Sequence, residues 1–205
     1  DSVIFAAPDG AVAECHPPFP PLPDNSKKRA ADEAARPAEV AEVAEVAEAV
    51  AAHARRPRTV GVLLVRLGGY AAGVFTGYPP ALADAKTGSR LVHGRSAAGG
   101  WSQHRFARRR EKQASEALQA AASAAADVFG RRGDRGGRPG ETLDAVVLGG
   151  DKRAMAELRQ DPRLAPYLAI ATDRFLTVPD PKRAVLEATP RLFLAVRIRL
   201  TEPTP

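Results

Sequence analysis

A chain of 205 residues, 44% of them hydrophobic, is long enough for one ordinary domain or for a domain with a smaller appendage, and too apolar for wholesale disorder. Its 30 Lys and Arg against 24 Asp and Glu leave a net charge of +6, which points to polyanions as partners. Cys15 is the only cysteine, which excludes an internal disulfide and a thiolate metal site and suits a reducing cytoplasm; no signal peptide is expected at the start and no apolar run reaches bilayer length.

The chain opens with a short strand at Val3–Ala6, a turn at Pro8-Asp9-Gly10 and a second strand at 11–14, the Asp-Gly pair being a tight-turn signal. Residues 17–23 (PPFPPLP) are held extended, because each proline sets its own φ and disfavours helix in the residue before it. The segment reads as a stiff connector or as a ligand for a proline-recognition domain. Residues 37–54 are a helix by composition. A triplet repeat aligns Val40, Val43, Val46 and Val50 in one stripe, with Glu39, Glu42, Glu45 and Glu48 beside it. The valines suit docking on a sheet, with a linker helix as the alternative.

A β-rich hairpin follows, with strands at 59–67 and 70–76 about a Gly68-Gly69 turn. A third strand is expected at 89–93. The pattern then breaks into glycine and serine over 94–100, after which a long Ala-rich helix without internal Gly or Pro runs from 102 to 129. Residues 130–140 form a basic, glycine-rich loop. A buried strand at 143–148 ends on Gly149-Gly150 and leads into a helix from Asp151; a helix at 182–188 and a strand at 191–200 close the chain. Strands and helices alternate, so the class is α/β with a mixed sheet and packed helices.

Charge is concentrated around the long helix. Arg90, Arg95, Arg105, Arg108, Arg109, Arg110 and Lys112 stand against Glu111 alone, an excess equal to the whole chain's +6. At about 100° per residue, Phe106, Ala114, Ala117, Leu118, Ala121, Ala125 and Val128 share one side of the helix, and Arg105, Arg108, Arg109 and Lys112 share the other. Surface helices ordinarily mix both signs, so a face almost without acids reads as a cationic ridge for phosphate. Consecutive glycines before it allow close backbone approach, and their N–H groups at a helix start can point at an anion or a developing oxyanion. Ser102 suits the N-cap. Trp101, the only tryptophan, would either stack on a base or anchor the loop. Gln103 supplies a neutral amide able to hold a water.

The run AAGGWSQHRFARRREKQ resembles the actinobacterial branch of the Vms-like release factors, relatives of the catalytic middle domain of eukaryotic and archaeal class I release factors, where a Gly-Gly-Gln loop precedes a helix starting Arg-Phe-Ala-Arg. The likeness extends over roughly 58–200, including VVLGGDK at 146–152, and residues 1–24 also look like the front of that family. It implies a release-factor middle-domain-like, RNase H-like fold in which the long helix follows a projecting glycine-rich loop. Residues 57–205 would be the catalytic domain, and residues 1–56 an N-terminal hairpin, connector and acidic helix.

The activity implied is peptidyl-tRNA hydrolysis on stalled ribosomes, with the large ribosomal subunit, peptidyl-tRNA and ribosomal RNA as partners and neither DNA nor membrane among them. Gln103 would orient the attacking water, with Gly99 and Gly100 as catalytic loop residues. Arg95, Trp101, Ser102, His104, Arg105, Arg108, Arg109 and Lys112 would contact RNA. No cofactor or metal is called for. Aligned without gaps on Arg105-Phe106, however, Trp101 falls where the family's glutamine is expected and Gln103 lies two residues later. A non-catalytic ribosome- or RNA-binding factor using the same loop and helix is the alternative. His16, His53, His93 and His104 show no metal-ligand spacing, and Asp144, Asp151 and Asp173 show no spacing that gathers carboxylates.

Overall fold

The computed structural model describes residues 2–22, 37–66, 69–89, 102–131 and 143–202, with side chains left out for 37–42 and 102–111. The chain divides into two compact units, one made of residues 1–56 with 191–205 and the other of residues 57–190.

In the first unit, β1 (Val3–Ala6) pairs antiparallel with β2 (Val12–His16). The turn between them is closed by Asp9, whose carboxylate accepts from Ala11 N–H at 3.0 Å. Helix α1 (Pro37–Arg55) docks through Val46 and Val50, which are buried with Val3 and Leu22. Val43, on the same sequence stripe, is 40% exposed, and the side chain of Val40 lies outside the described residues. His53, at the end of α1, is buried and lies 2.9 Å from the Phe19 carbonyl oxygen. Cys15 is buried as a free thiol and burial pushes its pKa up, so it is a packing residue rather than a reactive thiolate.

The sheet of this unit is completed by the last strand of the chain. Residues 191–205 were expected with the region that begins at 57. Instead β8 (Arg197–Thr201) runs antiparallel to β2, from Val12 opposite Thr201 to His16 opposite Arg197, in the order β1-β2-β8. The added backbone hydrogen bonds, together with the Arg199 to Glu14 contact at 3.2 Å, hold it there.

The second unit is built on a five-stranded mixed sheet. Strands β3 (Arg58–Arg66), β4 (Gly69–Gly77) and β5 (Ala81–Ser89) form an antiparallel meander, and β6 (Ala145–Gly150) and β7 (Ala171–Leu176) add in parallel on the far side of β3, giving the order β5-β4-β3-β6-β7. Central β3 is buried from Val60 to Val65, as a strand covered on both faces must be. Helix α2 (Ser102–Gly130) packs on one face, over Leu63, Val65, Ala72 and Val74. Short helices α3 (Lys152–Leu158), α4 (Ala165–Leu168) and α5 (Arg183–Glu187) fill the connections, and α6 (Pro190–Phe193) begins where the chain passes to the first unit.

One expectation shifts here and one holds. The third strand, expected at 89–93, lies earlier: β5 ends at Ser89, because its pairing with β4 runs back to Ala81. Residues 90–93 lie outside the described residues. The Gly149-Gly150 step is a strand-to-helix turn: Gly150 has φ +101°, and Asp151 caps α3 by accepting from Arg153 N–H at 2.7 Å. A β-carbon on Gly150 would sit 2.1 Å from the Val65 carbonyl oxygen, so the turn packs directly on β3.

Candidate functional site

Helix α2 positions the segment that the sequence singles out. Its C-terminal end is tied to the sheet by two ion pairs, Lys86 to Asp127 at 2.8 Å and Arg131 to Asp84 at 3.7 Å. The Lys86 ammonium beside Asp127 holds that carboxyl below its usual range, with Arg131 and Arg163 adding to the effect. Phe129 packs where a side chain on Gly61 would be, its ring 3.1 Å from that position. Gly61, Val74 and Asp84 share one row of the sheet, so this row is the base on which α2 stands.

From that base the helix runs along the sheet toward the row of Val65, Tyr70 and Gly88. Its buried residues are Ala117, Ala121, Ala122, Ala124, Ala125, Val128 and Phe129, with Leu118 half-buried against the same core. Alanine dominates this buried face, with Leu118, Val128 and Phe129 supplying the larger side chains. Ala114 was expected on the core face, and its angular position is the centre of that face; the structure leaves it exposed. The physical reason is length. A 29-residue helix is about 43 Å long, whereas a nine-residue strand spans about 30 Å. Beyond Ala117 the helix has outrun its sheet, and none of residues 112–116 is buried.

The predicted site residues divide accordingly. Ser102, Gln103, His104, Arg105, Arg108 and Arg109 belong to the unbroken helical backbone of α2, which begins at Ser102, and their side chains lie outside the described residues. Lys112 is exposed on the same overhanging stretch. Arg95, Gly99, Gly100 and Trp101 lie outside the described residues, as does the basic loop at 132–142. Eleven residues separate Gln103 from Ala114, close to three helical turns, so the two positions have nearly the same helical phase.

The weaker sequence candidates resolve into local structural roles. Asp144 accepts from Thr59 N–H at 2.6 Å and joins the starts of β3 and β6. Asp151 is the α3 cap, His16 pairs with Glu14 at 3.3 Å, and Asp173 is exposed. Among the described residues no three His, Cys, Asp or Glu side chains gather where they could hold a metal ion, and no helix is long and apolar enough to cross a membrane. The recess at the carboxyl end of β3, lined by Arg66, Lys182 and Arg183, was missed in the sequence, because its cations come from segments over a hundred residues apart.

Comparison with known proteins gives a family. The family model described as Actinobacteria/chloroflexi VLRF1 release factor matches residues 58–199. Curated proteins yield no match. Among solved structures, an archaeal translation termination factor, aRF1, is similar with a TM-score of 0.45 and 16% identity, over 64% of this chain and 33% of that one. A second, described as an archaeal protein, is similar with a TM-score of 0.42 and 14% identity, over 89% of this chain and 47% of that one. The chain thus spans about a third and about half of the length of these two structures.

Proposed function

The chain belongs to the Actinobacteria/chloroflexi VLRF1 release factor family, and from that premise we propose that it hydrolyses the ester between a nascent peptide and the 3′ ribose of tRNA on stalled ribosomes. The observation that carries this reading is that, among the described side chains of α2, burial begins only at Ala117, while the unbroken helical backbone continues back to Ser102 with Gln103 in its first turn. Such a lever suits a reaction that occurs inside another particle. The protein's partners are then the large ribosomal subunit, its RNA and peptidyl-tRNA, in the cytoplasm.

Ester hydrolysis here needs little beyond positioning. A water attacks the ester carbonyl carbon, the C–O bond to the ribose breaks, and the proton lost by the water ends on the ribose oxygen. The Gln103 amide orients the water, and the backbone amides of Gly99 and Gly100 support the negative charge of the tetrahedral state. Arg95, Arg105, Arg108, Arg109 and Lys112 hold phosphates, with Trp101, Ser102 and His104 completing the RNA contact. Because a glutamine at 103 stands two residues beyond the position the Gly-Gly-Gln pattern predicts, a binding factor without hydrolysis is the second reading.

The test is peptide release from defined ribosome–nascent-chain complexes. Gln103→Ala is expected to slow release about 100-fold or more, the scale for loss of one pre-positioned polar group, while still binding the complexes. Release by Gln103→Ala at the wild-type rate removes Gln103 from the chemistry. Binding without release by the wild type selects the second reading.

A further inference from the structure

A second basic feature lies in the 57–190 unit, apart from α2. The carboxyl end of β3, the end of β5 and the segment between β7 and α5 enclose an open recess of about 280 Å³. Arg66, Lys182 and Arg183 line it, with Asp180 as the single acid and the hydroxyl residues Thr87 and Ser89 on the opposite wall. Arg66 is half-buried, and its Nη1 donates to the Val178 carbonyl at 2.8 Å, which fixes the guanidinium at the rim. Among the described residues no carboxylate pairs with Arg66 or Lys182; Arg183 shares its charge with Glu187, at 2.8 Å.

We propose that this recess binds a backbone phosphodiester of RNA, as a contact separate from the α2 ridge. A guanidinium carries five N–H donors, and the bond to Val178 uses one. Removed in part from water and lacking a carboxylate, Arg66 gains more from an anion than a solvated surface arginine does. Lys182 adds a second cation at the start of α5, where its side chain makes no capping bond that it would have to give up.

The location favours a ligand too. The recess is walled by the end of β3, the start of β4 and the end of β5, so backbone and side chains from three strands and the 180–183 segment meet at it. The occupant is a polymer phosphate rather than a nucleotide, because the recess is shallow and no aromatic ring lines it to stack a base. Thr87 and Ser89 are placed to meet a phosphate oxygen or a 2′-hydroxyl, the group that marks RNA. Ser89 also immediately precedes the stretch leading to Gly99 and Gly100. A phosphate held here therefore sits at the end of the sheet past which α2 extends. The RNA partner rests on the function proposed above.

The probe is a fluorescent 12-nucleotide single-stranded RNA, with anisotropy measured across a salt series for the full chain, Lys182→Glu and Arg159→Glu. Arg159 is exposed at the end of α3, outside the recess, so its reversal makes the same charge change elsewhere. Lys182→Glu is expected to weaken binding about 5-fold near 0.1 M salt and to reduce the slope of log K against log salt by about 0.7, one phosphate contact on a single strand. Arg159→Glu should stay within about 2-fold of wild type. Equal losses in the two variants, or no loss in Lys182→Glu, overturns the assignment. Peptide release by the wild type is followed in parallel: its failure strikes the proposed function, and the oligonucleotide comparison still decides the recess.

Discussion

Replacing Gly150 by alanine tests the junction that locks β6 and α3 onto β3. At φ +101° an L-residue pays about 1–2 kcal/mol for the left-handed backbone. The new β-carbon would also stand 2.1 Å from Val65 O, about 1 Å too close for contact, and the Val65 carbonyl carbon would be at 2.9 Å. That oxygen already accepts from Asp151 N–H at 2.8 Å, a bond with a net value of about 1 kcal/mol. Separating the strands breaks it and disturbs the neighbouring pairs of the β3–β6 ladder. The sum is about 3–5 kcal/mol, in the range of the most damaging single changes. Gly77→Ala is the control, since Gly77 has φ +82° but its nearest neighbour is Pro79 O at 4.0 Å. Only the backbone cost of about 1–2 kcal/mol applies there. Both glycines lie in the 57–190 unit, so one urea transition followed by circular dichroism reports both. With a slope of about 2 kcal/mol per molar urea, the midpoint should fall by about 2 M for Gly150→Ala and by less than about 1 M for Gly77→Ala. Equal midpoints would refute the contact argument.

Two further outcomes follow from α2. Ala114→Pro breaks the helix where no residue from 112 to 116 is buried; thermal unfolding of the sheet should move by only a few degrees while peptide release falls at least about 10-fold, as misplacement of a reacting group does. Release at the wild-type rate would mean that α2 does not carry Gln103 as a rigid arm. At the base of the helix, the folded Asp127 carboxyl titrates below its ordinary value because Lys86 bonds to it. The pair's contribution is therefore present above the unfolded value of 3.8 and is lost as pH falls through the folded one. Lys86→Ala should raise the Asp127 midpoint in a carboxyl NMR titration, and an unchanged midpoint would exclude Lys86 as the main cause.

Much of the fold was legible because it is written in local periodicity. The triplet repeat of α1, the uninterrupted Ala-rich run of α2 and the β-branched residues of β3 each announce their element without help from distant residues. Strand β5 was misplaced and β7 missed because ALADAKTGS and ATDRFL carry weak strand signals; pairing with β4 and with β6 makes them strands. Helices α4 and α6, four residues each, are too short to show a period. The Gly-Gly, Gln103 and arginine pattern of the candidate site was equally plain, since its residues are contiguous in sequence.

The sequence by itself determined the α/β class, the extent of α2 and the segregation of charge onto the stretch from Arg90 to Lys112, because composition and a 3.6-residue period need no partner to be expressed. Tertiary structure alone decided that β8 joins β2, 185 residues from Glu14 to Arg199, and that Arg66 meets Lys182 in one recess. It also decided that Ala114 is solvent-exposed while Ala121 and Ala125, on the same helical face, are core. The reason is that a helix's periodicity tells which face is apolar, whereas how far that face stays covered depends on where the neighbouring sheet ends.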